Sequence, residues 1–122
     1  MPKILTCLLP IILLISACNS QSSSQEALDN HKIYLFYHNE CPYCIQAMDY
    51  INQNYPDLEV TMVNIYNNGG MKLLQQCAAK FNLGEQIGTP LFCFGDKYIM
   101  GWSQENISLF NQYATDFINA KP

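Results

Sequence analysis

Five apolar residues, Ile33-Tyr34-Leu35-Phe36-Tyr37, lead through three polar positions into Cys41-Pro42-Tyr43-Cys44, and no other stretch restricts the fold so tightly. From Lys32 to His38 both alternating faces are apolar, the pattern of a strand covered on each side by helices. After it, Cys44, Ala47, Met48, Ile51 and Tyr55 repeat at i, i+3, i+4 and i+7, one buried face of a helix. Pro56 ends that helix, because the residue before a proline avoids helical geometry. If the helix begins at Pro42, Cys41 sits at its N-terminus. There, unpaired N–H groups and the helix dipole favour a thiolate. Pro42 suits the first helical position, its φ preset and its missing N–H not needed.

Cys44 then lies one turn further in, within reach of a sulfur on Cys41. A nucleophilic thiol with a resolving thiol beside it forms a dithiol–disulfide exchange unit. Two blander readings compete with this one. A CxxC can be half of a zinc site, but Cys77 and Cys93 stand far apart and the two histidines lack finger spacing, so no metal site is assigned. The pair can also be an inert structural disulfide.

Downstream, Leu58 to Ile65 is predicted as a second strand, parallel to the first. Asn67-Asn68-Gly69-Gly70 is a turn. Met71 to Asn82 is a second helix with Met71, Leu74, Cys77, Ala78 and Phe81 on its inner stripe, and Gly84 is its stop. Leu91 to Phe94 and Lys97 to Trp102 form a hairpin around Gly95-Asp96. Ser103 caps a last helix burying Ile107, Phe110, Ala114 and Phe117. The expected fold is α/β, in the order βαβαββα, a four-stranded mixed sheet with helices on both faces.

Residues 32–118 resemble the thioredoxin superfamily, and most closely its glutaredoxins. CPYC at 41–44 is the glutaredoxin active-site sequence, Gly88-Thr89-Pro90 matches the family's cis-proline segment, and Gly101 matches its late glycine. The resemblance implies that Cys41 reacts, that Cys44 resolves, and that Thr89 and Pro90 present backbone to a substrate chain, with Tyr43, Gly101 and Trp102 around the cleft. It also frays in two places. Where glutaredoxins carry a lysine for a glutathione carboxylate, this chain has His38. The stretch Trp102-Ser103-Gln104-Glu105 lacks the family's glutathione-binding aspartate. Thr89 before the proline is closer to periplasmic disulfide isomerases. Fold and thiol chemistry are therefore expected to carry over. No tightly bound cofactor is expected; glutathione stays open as a co-substrate, although its charged contacts are unmatched. A protonated His38 would favour the Cys41 thiolate and Glu40 would oppose it; a solvent-facing His38 would do neither.

The N-terminus has the form of an export signal: Lys3, an apolar run from Ile4 to Ile15, then Ser16-Ala17-Cys18. Ile15-Ser16-Ala17-Cys18 resembles the lipobox of bacterial lipoproteins. The resemblance implies cleavage just before Cys18, so that 1–17 is a signal peptide, and lipid on Cys18. Ser22-Ser23-Ser24 with the glutamines beside them mark a flexible tether, which together with the lipidated cysteine takes up 18–31. The domain would then occupy 32–122. Asn19 resembles the pattern of lipoproteins sent to the outer rather than the inner membrane. The expected location is periplasmic and lipid-anchored. Of six cysteines, Cys41, Cys44, Cys77 and Cys93 remain for thiol chemistry, and an oxidising compartment is expected. For Cys77 and Cys93 three readings stand: a structural disulfide, plain buried thiols, or a second redox pair. Bonded, they would close a loop of about 15 residues, a contribution of roughly 3 kcal/mol in the chain-entropy model.

The formal charge of −4, without one arginine, argues against nucleic acid as a partner, which would want a basic face. Expected partners are protein thiols or disulfides, a membrane redox partner that donates or accepts electrons, and the membrane itself. The direction of electron flow stays open. The rival is a lipoprotein that carries Cu(I) on the two CxxC thiolates.

Overall fold

The computed structural model describes residues 26–121. Its elements run β1 (Ile33–Tyr37), α1 (Pro42–Asn54), β2 (Val60–Asn64), α2 (Gly70–Lys80), β3 (Leu91–Phe94), β4 (Lys97–Met100) and α3 (Gln104–Ala120). The sheet has the order β2-β1-β3-β4. Within it β1 pairs parallel with β2 and antiparallel with β3, and β3 with β4 antiparallel. The order βαβαββα and the mixed four-stranded sheet are those the sequence leads one to expect.

Alternation along the two central strands divides the interior into two clusters. Ile33 and Leu35 of β1 and Phe92 and Phe94 of β3 face α1 and α3, meeting Ala47, Ile51, Phe110 and Ala114. Tyr34, Phe36, Leu91 and Cys93 face the other way, toward Leu73, Leu74 and Cys77 of α2. One face is thus covered by two helices and the other by a single helix of 11 residues.

The N-terminal strap supplements that thin layer. Residues 26–31 belong to the stretch read as tether, but here they are fastened to the domain. The Leu28 N–H donates to Gln76 Oε1 at 2.9 Å, Gln76 Nε2 donates to the Glu26 carbonyl at 3.0 Å, and the Asp29 N–H donates to the Tyr34 hydroxyl at 2.9 Å. Leu28 packs on the α2-side cluster. The signal and lipidation reading, Cys18 included, falls on residues 1–25, outside the described residues.

Three local expectations are corrected. The stop of α2 is not Gly84 but Asn82, at φ 53°. Asn82 N–H bonds Ala79 O and Leu83 N–H bonds Ala78 O, the reciprocal pair of a Schellman end, in which asparagine accepts the left-handed position. Met71 lies outside the inner stripe and is exposed, whereas Leu73 is buried. The strands are also shorter than the apolar runs suggest, β2 spanning Val60–Asn64 and β4 Lys97–Met100. Gly70 opens α2 against the end of β2, so close that a Cβ there would collide with the Asn64 carbonyl. Gly95 takes a positive φ at the first turn position of the β3–β4 hairpin, where a two-residue loop favours it.

At the far end of α1, the Tyr50 and Tyr55 hydroxyls both donate to Asn111 Oδ1 of α3, at 2.9 and 2.7 Å. Burial pushes the Tyr55 hydroxyl above its ordinary value, and neighbouring Tyr50 adds to the rise. Its contribution to stability is therefore complete below the unfolded value near pH 10 and is lost as pH climbs through the raised folded value. Tyr55→Phe is expected to cost roughly 1 kcal/mol at neutral pH, one hydrogen bond's worth. It should also flatten the decline of the urea midpoint between about pH 9 and 11 relative to wild type, which paired melts at the two pH values would read.

Candidate active site

Local sequence places Cys41 at the turn from β1 to α1. It is the N-cap residue, extended at φ −107° and ψ 99°, with Pro42 opening the helix behind it. The Cys41 sulfur accepts the Cys44 N–H at 3.2 Å, and the Cys41 carbonyl accepts the Ile45 N–H at 3.2 Å. No acidic residue stands in the first turn of α1, so nothing within it offsets the positive end of the helix dipole. Cys41 and Cys44 are joined as a disulfide, their Cα atoms 5.2 Å apart. Cys41 keeps 5% of its surface exposed and Cys44 none, so an incoming sulfur meets Cys41.

The segment before β3 closes on this pair from the other side. The Thr89–Pro90 peptide bond is cis, and the Thr89 hydroxyl donates to the Cys41 sulfur at 3.4 Å. Pro90 is buried, and its carbonyl accepts the Gly101 N–H at 2.8 Å. Among the described residues, no hydrogen bond uses the N–H or carbonyl of Thr89 itself. Two main-chain groups thus stay available beside the reactive sulfur, the arrangement an extended peptide can pair with.

The structure brings Cys41, Cys44, Thr89, Pro90 and Gly101 together. Tyr43 and Trp102, the two aromatic candidates, part company. Tyr43 is 57% exposed, one residue before Cys44. Trp102 is a correction: it is 9% exposed, and its ring packs against Tyr50, Phe92 and Phe110 as part of the core. The reason is the chain reversal at Gly101, which sends the next side chain inward between α1 and β3. His38 touches Cys41 through the main chain, its carbonyl accepting the Cys41 N–H at 3.3 Å, while its ring lies 5.7 Å from that of Tyr66. Glu40 is exposed just before the pair.

One supporting residue escapes sequence reasoning. Asn106, in the first turn of α3, donates through Nδ2 to the carbonyls of Met100 and Gly101 at 2.9 and 3.0 Å. It ties that helix to the chain that holds Pro90. An asparagine three residues after a serine cap has no signature that would single it out. A concavity of about 1010 Å³ has Phe94, Tyr113, Phe117, Lys80, Lys97 and Lys121 in its lining. It opens at the hairpin end of β3, roughly 13 Å of strand away from Pro90, and plays no part in chemistry at Cys41.

No family model matches the chain, and no curated protein matches it. Among solved structures, the crystal structure of a buckwheat glutaredoxin–glutathione complex is similar, with a TM-score of 0.49 and 13% identity over 71% of this chain and 76% of that one.

Proposed function

We propose that this chain is an extracytoplasmic thiol–disulfide oxidoreductase acting on protein substrates. The observation that carries the reading is the convergence on one sulfur: Cys41 Sγ lies at the start of α1, receives the Cys44 N–H and the Thr89 hydroxyl, and stands within bonding distance of the Cys44 sulfur. Each donor favours the thiolate over the thiol. In the reduced form, the Cys41 thiolate attacks a substrate disulfide. One substrate thiolate leaves, and a mixed disulfide forms on Cys41. The Cys44 thiolate then attacks Cys41 Sγ, releasing the second substrate thiolate and leaving the Cys41–Cys44 disulfide. Two electrons have passed to the substrate and must be restored by a donor; run backward, the same steps oxidise a dithiol and need an acceptor.

The lipid anchor on Cys18 and the periplasmic face of the outer membrane belong to the proposal through the sequence of residues 1–19. Glutathione is assigned no dedicated contact, because His38 and the 102–105 stretch lack the charged groups that would hold its two ends.

Equilibrating the soluble domain with glutathione buffers tests the reading, with Cys41→Ser as control. A single two-electron transition, absent from the control, is expected. Family members with CPYC sit at about −200 to −230 mV, and a value well below or well above that range would set the direction as reductive or oxidative. If the pair does not cycle and the reduced protein purifies with stoichiometric copper, the reading gives way to a Cu(I) carrier.

A further inference from the structure

Cys77 on α2 and Cys93 on β3 are joined as a disulfide, their Cα atoms 6.5 Å apart, and both are buried. Three features of its place in the fold bear on the active site. The bond links the two elements that flank the segment 81–90, so the chain it closes is the one carrying Thr89 and Pro90. That segment has little main-chain bonding of its own. After the Schellman end at Leu83, its next hydrogen bond is a weak one, from the Gly88 N–H to Met100 Sδ at 3.2 Å. What else holds it is packing, and Leu83 and Ile87 pack on the very cluster that contains Cys77, Leu91 and Cys93. This is also the face covered by one helix alone.

We propose that the Cys77–Cys93 disulfide is a positioning element for the reaction at Cys41: by fixing both ends of the segment and the cluster beneath it, the bond keeps the Thr89 hydroxyl on the Cys41 sulfur. Cys77 and Cys93 touch neither substrate nor the reacting atoms. They act through Thr89, whose hydroxyl would otherwise trade the sulfur for water. The inference rests on Cys41 being the reactive thiol, but not on which substrate it meets or in which direction electrons flow. It makes the two cysteine pairs unequal partners, one cycling and one permanently oxidised to hold the first in order.

The test is a coupling measurement on the reduced Cys41 in the soluble domain, following thiolate absorbance at 240 nm as a function of pH. Thr89→Val removes the donor and is expected to raise the Cys41 thiol pKa. Cys77→Val/Cys93→Ala, which removes the staple while filling its space, is expected to raise it by a comparable amount. Adding Thr89→Val to that pair should then change little, because two steps in one chain of causes are not additive. A second arm keeps the disulfide. Two glycines inserted after Gly84, in the exposed part of the loop, slacken the closed segment and should reproduce the Thr89→Val shift. An unchanged titration in the insertion variant overturns the proposal, and so do fully additive shifts in the triple variant. Loss of thermal stability alone, with the Cys41 titration intact, would reduce the staple to a structural bond. Failure of every peptide disulfide to react would instead count against the proposed activity, and the titration would still decide this point.

Discussion

Cys41→Ser is expected to lower the rate of disulfide exchange roughly a thousandfold or more, to the background set by small thiols in solution. The geometry makes the loss one-sided. Of the two sulfurs, only that of Cys41 combines residual exposure with the Cys44 N–H and the Thr89 hydroxyl. A serine hydroxyl in that place is not ionised near neutral pH and forms no bond to sulfur that the next step can exchange. Cys44→Ser is expected to behave differently. Its sulfur is fully buried, so its removal leaves the attack intact and blocks the resolution. Substrate should accumulate as a one-to-one mixed disulfide on Cys41, visible as an added mass that dithiothreitol releases. If glutathione restores multiple turnovers to Cys44→Ser, an external thiol can do the resolving, and the missing charged contacts at His38 and 102–105 are not needed for glutathione to enter. If it does not, the internal thiol is the only route, as the unmatched contacts lead one to expect. The same trapping returned by Cys41→Ser would reverse the assignment of the two sulfurs.

How much of this was legible before the structure depended on whether a signal was local. The strand–CPYC–helix turn was readable because its parts act on their neighbours: a proline that starts a helix, an N-cap, an apolar period. Ser103 as the cap of α3, accepting the Asn106 N–H at 3.2 Å, was readable for the same reason. Asn82 was missed because glycine and asparagine compete for the same left-handed position, and two candidates stood two residues apart. Trp102 was misplaced because its partners, Tyr50, Phe92 and Phe110, come from three separate elements, and only the assembled core decides that it turns inward. The Cys77–Cys93 bond was one of three readings, since a cysteine on a helix stripe and a cysteine on a strand face look alike whether or not they meet. The strap at 26–31 escaped altogether: a polar stretch reads as a tether until Gln76, fifty residues away, is found bonding its backbone.

Phe110→Ala should be the most damaging single change to the fold. Phe110 is fully buried, and five rings surround it: Phe92 at 5.2 Å between centroids, Tyr55 at 5.5, Phe94 at 5.6, Trp102 at 5.9 and Tyr50 at 6.5. Those rings come from α1, β3, the region after β4 and the turn following α1, so the side chain joins α3 to every layer on that face. Truncation to alanine removes the transfer energy of a phenyl ring and leaves a void whose rigid walls cannot collapse; about 3–5 kcal/mol is the expected loss. A domain of this size has roughly 5–15 kcal/mol in all. The thermal midpoint should therefore fall by about 12–40 °C, at 4–8 °C per kcal/mol. Phe117→Ala, two turns later on the same helix and only partly buried, supplies the contrast, with a loss expected near 1 kcal/mol. Differential scanning of the two variants side by side separates the explanations. Equal losses would mean that α3 is held by its length and caps, and that the aromatic cluster contributes area without a centre. A large loss confined to Phe110 would place the keystone of the two-helix face there. In that case the surviving folded fraction should exchange disulfides at the wild-type rate, because Cys41 and Thr89 meet at the end of the sheet and neither belongs to the cluster that contains Phe110.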